Sequence, residues 1–155
     1  MVKEQTEITE RLNRFEQEMS FDFIPGVLDF IADLHRNQVK TAVVTSSNEA
    51  KMAAVYRVHP EIKTLFDRIL TAEMFTASKP APDCFLLGMD VFGTTPETTY
   101  VFEDSFNGLK AGMDSEAIVI GLTTTNSRED IASLCHYVLD DFTDFTYDKL
   151  TQLQK

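Results

Sequence analysis

Apolar positions change their spacing along this chain, and the changes divide it into elements. Ile8, Leu12, Phe15 and Met19 fall at steps of four, three and four, the spacing that lines one face of a helix, so residues 3–19 read as an amphipathic helix. Pro25-Gly26 breaks that pattern and opens a second helix over 26–36, with Val27, Phe30, Ile31 and Leu34 as its apolar face. The period then shortens. Residues 40–45 are a β-branched run, apolar on both faces toward its end, which suits a buried parallel strand. Ser46-Ser47-Asn48 can cap a helix over 48–58, and His59-Pro60 ends it.

A weak strand is expected near Arg68–Leu70. Lys79-Pro80-Ala81-Pro82 leads into a helix over 82–92 that Gly93 closes. Residues 99–102 form the next strand, which runs straight into Glu103-Asp104-Ser105. There follow a helix over 106–113, a strand at 117–120 ended by Gly121, a helix over 127–134, an edge strand at 136–139 and a terminal helix. Strands alternating with helices define an α/β domain with a parallel sheet. No repeat, low-complexity segment or linker divides it.

Composition narrows the function classes. The 155 residues suffice for one domain with a real core. The net charge of −11 comes from 25 acidic and 14 basic residues. It argues against nucleic acid or an anionic membrane as partner, since both need basic patches. No apolar run approaches the roughly 20 residues that span a bilayer, and the charged N-terminus lacks the apolar stretch of a signal peptide. A cytoplasmic location is the expectation. Cys84 and Cys135 lie far apart in no Cys-x-x-Cys pattern and are expected to be reduced thiols. His35, His59 and His136 lack metal-ligand spacing and are expected to be structural or solvated.

In an open parallel sheet, ligands bind beyond the carboxyl ends of the strands. Three segments put polar groups there. Thr45-Ser46-Ser47-Asn48 ends a strand at a helix N-terminus, where backbone N–H groups and the helix dipole favour an anion. The same residues also serve as a plain cap. Lys79, held by Pro80, can deliver one fixed positive charge of the kind phosphoryl transfer needs, although a lone lysine is more commonly solvated. Glu103-Asp104 places adjacent carboxylates at a buried strand end, where they repel and lose hydration. A divalent cation with oxygen ligands, Mg²⁺, is the natural counter-charge. A capping Asp104 beside a solvated Glu103 is the alternative.

Taken together, in this order, the segments resemble the haloacid-dehalogenase-like superfamily, in its β-phosphoglucomutase-like and phosphoglycolate-phosphatase-like branch. The matching stretches are Pro25-Gly26-Val27, the strand from Ala42 through Thr45-Ser46-Ser47, Lys79-Pro80-Ala81-Pro82-Asp83, Val101-Phe102-Glu103-Asp104-Ser105-Phe106-Asn107-Gly108, and Val119-Ile120-Gly121-Leu122. The resemblance implies a Rossmann-like core with helices on both faces. It implies that Thr45, helped by the Ser46 backbone, binds the transferring phosphoryl group, that Lys79 neutralises it and the nucleophile, and that Glu103 and Asp104 hold Mg²⁺. Ser47, Asn48, Ser105 and Asn107 would support these, and Asp83 would start a helix.

The sequence departs from this family at one point. The family's first strand ends in Asp-x-Asp-Gly, whose first aspartate attacks phosphorus and whose second is the general acid and base. No Asp-x-Asp occurs upstream of Thr45. Asp22, in Phe21-Asp22-Phe23, has the wrong spacing and precedes the Pro-Gly helix start. Residues 1–20 are therefore read as a remnant of the helical cap and 21–155 as the α/β core, lacking its first, central strand and most of the cap. Such a core exposes two rows of backbone groups where that strand belongs, and self-association through those unpaired edges is expected.

The function implied is Mg²⁺-dependent phosphoryl transfer on a small phosphorylated metabolite, with hydrolysis favoured over mutase chemistry and the chain inactive as it stands. A sugar-phosphate mutase, a noncatalytic phosphate-binding module, and a site completed by a partner's strand are the alternatives.

Overall fold

Side chains of the buried strands alternate between two apolar layers, and helices cover both. In a computed structural model of the chain, residues 3–5 and 23–154 are described. Among them the strands are β1 (Lys3–Gln5), β2 (Ala42–Val44), β3 (Arg68–Leu70), β4 (Tyr100–Glu103), β5 (Ile118–Leu122) and β6 (Tyr137–Leu139). They form one sheet in the order β3-β2-β1-β4-β5-β6, with every neighbouring pair parallel. The helices are α1 (Val27–Arg36), α2 (Glu49–Val58), α3 (Ile62–Leu65), α4 (Asp83–Phe92), α5 (Phe106–Asp114), α6 (Arg128–Ile131) and α7 (Tyr147–Thr151).

Period two in the strands sorts the core. Val43, Tyr100, Phe102, Ile118, Ile120 and Leu122 pack with α1, α2 and α7. Ala42, Val44, Val101 and Val119 face the other way, against Cys84, Phe85 and Met89 of α4 and Leu109 of α5. This doubly covered sheet is why residues 42–44 and 118–122 read as continuous apolar runs. Gly26 shows why α1 begins where it does. Its φ is +81°, and a Cβ there would lie 2.5 Å from the Phe142 carbonyl carbon. The bare glycine lets Pro25 O accept from the Phe142 amide at 2.9 Å, which seats Phe142 in stacked contact with Phe30.

Three expectations change. The helix read over 3–19 does not hold at its start, because Lys3–Gln5 is a strand. It fills the central gap expected between β2 and β4. Lys3, Glu4 and Gln5 register with Tyr100, Val101 and Phe102, and Glu4 also with Ala42. The edges expected to be bare, and to drive self-association, carry these pairs. Backbone satisfaction explains the outcome: leaving a buried N–H or C=O unpaired costs about 1–3 kcal/mol, more than the helical preference of three residues. The rest of that stretch, with Ile8, Leu12, Phe15, Met19 and Asp22, lies outside the described residues, as does most of the segment read as a cap remnant.

The third change concerns Gly121, which sits inside β5 rather than ending it. A Cβ there would stand 2.8 Å from Cys135 Sγ and 3.0 Å from Ile131. Glycine is required by that close approach and not by a turn. Cys84 is buried, Cys135 is half-buried, and both are free thiols. Among the described residues no helix is long and apolar enough to cross a membrane.

Candidate functional site

The carboxyl ends of β2 and β4 flank the central strand, and most of the residues singled out by sequence gather there. Thr45 follows β2 and is buried. Its amide donates to Leu70 O of β3 at 3.0 Å, which fixes the backbone. Its Oγ1 accepts from the Ser47 amide at 3.0 Å. A hydroxyl that accepts in this way keeps its own proton to donate. Ser46 is exposed and Ser47 buried. Asn48 is the N-cap of α2, its side chain accepting from the Lys51 amide at 2.9 Å.

One neighbour of this turn had no signal in the sequence. The Glu73 carboxylate accepts from the Glu49 amide, both oxygens at 3.1 Å. The Glu49 carboxylate in turn accepts from Thr71 Oγ1 at 2.7 Å. The start of α2 is thus already served by a carboxylate of the protein. The Glu49 N–H, more than any other contact, holds the Glu73 carboxyl below the usual glutamate range.

Lys79 is not a solvated charge. Its side chain is 5% exposed. Nζ donates to Glu103 Oε2 at 3.0 Å and to Val44 O at 3.3 Å, and lies 5.1 Å from the Phe85 ring centroid. Val44 ends β2 and Glu103 ends β4, so the ammonium group reaches across the line of the central strand. Desolvating such a pair is costly unless further hydrogen bonds complete it, and here they do. Glu103, with no exposed side-chain surface, accepts through Oε1 from the Asp104 amide at 3.1 Å, the Ser105 amide at 3.3 Å and Ser105 Oγ at 3.3 Å. The sequence grouped Glu103 with Asp104 as a metal ligand. In the structure both Glu103 oxygens bind protein donors.

Gly108 explains the glycine three residues after Ser105. A Cβ there would fall 2.0 Å from Glu103 Cδ, so the carboxylate lies against the bare backbone of α5. Ser105 caps that helix, its Oγ accepting from the Gly108 amide at 3.0 Å. Asp104 is fully buried. Its Oδ2 accepts from Thr125 Oγ1, and its carbonyl accepts from Asn126 Nδ2 at 3.1 Å. Asn107 is exposed on the first turn of α5, and Asp83 opens α4.

The three histidines take no part. His35 Nε2 is paired with Thr41 Oγ1 at 3.4 Å, His59 Nδ1 with Glu61 at 2.6 Å, and His136 Nδ1 accepts from the Val119 amide at 2.9 Å. Among the described residues no group of three or more His, Cys, Asp or Glu could hold a metal by itself. Asp104 supplies a hard oxygen donor, and magnesium is commonly held by one or two carboxylates with water and phosphate oxygens completing its shell. The Asp104 carboxylate fits the part of one such ligand, the other positions falling to water and phosphate oxygens.

The chain is similar to known proteins. A model of the haloacid dehalogenase-like hydrolase family matches residues 3–115. A β-phosphoglucomutase of Mycobacterium bovis is 34% identical over 101 residues, covering 64% of this chain and 38% of that protein. Hexitol phosphatase A of Escherichia coli is 28% identical over 103 residues, covering 64% and 45% respectively. The crystal structure of CbbY from Rhodobacter sphaeroides in complex with phosphate superposes with a TM-score of 0.76 at 28% identity, over 92% of this chain and 65% of that one. The chain thus spans less than half the length of these two curated relatives.

Proposed function

Because the chain belongs to the haloacid dehalogenase-like hydrolase family, in the branch that holds β-phosphoglucomutase and CbbY, we propose that its strand-end site binds a phosphoryl group with Mg²⁺, and that the protein it represents is a phosphatase of small phosphorylated metabolites. The observation that carries this reading is the buried Lys79–Glu103 pair between the ends of β2 and β4. A cation held beside the strand ends that lead into Thr45 and Asp104 supports a phosphoryl group bound between those two residues.

Each residue then has a task. The Thr45 hydroxyl, oriented by the Ser47 amide, and the Ser46 amide hydrogen-bond the phosphoryl oxygens. Lys79 offsets their charge. Asp104 holds the metal, and Glu103 holds Lys79 and the Asp104–Ser105 backbone in place. Magnesium bound there would supply further charge neutralisation on the phosphoryl oxygens.

The nucleophile is the part the residues do not provide. No Asp-x-Asp occurs anywhere in the sequence, so this chain alone binds without turning over. Hydrolysis of a generic phosphomonoester with Mg²⁺ tests this, on the chain and on Asp104→Ala. The expected result is no activity above background in either. Turnover that disappears in Asp104→Ala would reveal a nucleophile of another kind and overturn this reading of the chain.

A further inference from the structure

We propose that Thr125 and Asn126, in the loop between β5 and α6, are positioning residues for Asp104, and that the Thr125 hydroxyl biases the site toward magnesium over calcium. The inference rests on the reading of Asp104 as the metal-binding carboxylate. β4 and β5 are parallel neighbours, with Glu103 opposite Gly121, so the loops that follow them leave the sheet side by side.

The loop after β5 is anchored at both ends. The Thr123 amide donates to Leu139 O at 3.1 Å and Thr123 Oγ1 to Asp140 Oδ1 at 2.7 Å. At the far end Ser127 caps α6. Between these anchors Thr125 Oγ1 donates to Asp104 Oδ2, and Asn126 Nδ2 donates to Asp104 O at 3.1 Å. With the Asp104 amide given to Glu103 Oε1, the aspartate is held at its amide, its carbonyl and its carboxylate.

The hydroxyl contact has a chemical consequence. A carboxylate that accepts a proton donor on one oxygen is disposed to give a metal its other oxygen alone, in a fixed direction. Magnesium, octahedral with bonds of about 2.1 Å, is served by that geometry; calcium, with longer bonds of about 2.4 Å, readily takes both oxygens of a carboxylate. Thr125 is exposed, so removing its hydroxyl opens no cavity in the core.

Calorimetric titration of the whole chain with Mg²⁺, and separately with Ca²⁺, tests the idea. Loss of an outer partner of a metal ligand typically weakens affinity about 10–100-fold. Thr125→Ala is expected to weaken Mg²⁺ binding within that range and Ca²⁺ binding far less, and Thr125→Ser to restore both affinities. Asn126→Ala is expected to weaken both ions alike. If Thr125→Ala keeps the wild-type Mg²⁺ affinity and Mg²⁺/Ca²⁺ ratio while Asp104→Asn abolishes binding, the positioning role is overturned and the metal reading stands. If Asp104→Asn binds as the wild type does, the metal reading falls and takes this inference with it. Equal losses for both ions would make Thr125 a structural strut and also overturn it.

Discussion

At the scale of single residues, the site depends on one buried ion pair and the glycine beneath it. Truncating one partner of such a pair leaves an uncompensated charge, which costs about 3–5 kcal/mol. Lys79→Met is expected to destabilise the chain by that order, read by urea unfolding. Lys79→Met combined with Glu103→Gln should recover part of the loss, because then no charge is stranded and the amide oxygen can still accept from the Asp104 and Ser105 amides. Gly108→Ala drives a methyl into the Glu103 carboxylate and is expected to cost at least the roughly 1–3 kcal/mol of an overpacked core. The spacing of Lys79, Glu103, Asp104 and Gly108 was legible in the sequence because it recurs as a motif. The division of labour was not. Which carboxylate meets the lysine depends on side-chain direction at a strand end, and a dipeptide of two acids carries no record of it.

At the scale of elements, α2 shows how a helix start can be occupied by the protein itself. Asn48 caps it in the usual way, and Asn48→Ala is expected to cost about 1 kcal/mol. Glu73 adds a carboxylate on the Glu49 amide. Because that contact lowers the folded-state pKa of Glu73, its stabilisation is present above the ordinary glutamate pKa. It is lost as pH falls through the lowered value. Urea midpoints measured from neutral pH down into the acid range should therefore fall less steeply for Glu73→Gln than for the wild type. Glu73 was invisible in the sequence because it lies 24 residues from Glu49 with no motif between them. Thr125 and Asn126 were missed for a related reason: only the pairing of β4 with β5 brings their loop onto Asp104. Gly121 was misread as a strand end because a glycine demanded by tight packing looks, in one dimension, like a glycine demanded by a turn.

At the scale of the whole molecule, the alternation of strands and helices gave the α/β class directly, since doubly buried strands and amphipathic helices have different periods. The central strand was the exception. Residues 3–5 are charged or polar in sequence, and only the open slot between β2 and β4 makes them a strand. Deleting residues 1–5 should uncover those two edges, giving concentration-dependent association in sedimentation and a less cooperative unfolding transition. The two strands beside this slot lead into Thr45 and Asp104, the residues proposed to meet the phosphoryl group and the metal. The most direct measurement is equilibrium binding of inorganic phosphate to the chain, with and without Mg²⁺, compared with Asp104→Asn. The expected result is phosphate binding that Mg²⁺ strengthens in the wild type and leaves unchanged in the variant. Binding that ignores Mg²⁺ in both, or no binding in either, would contradict it.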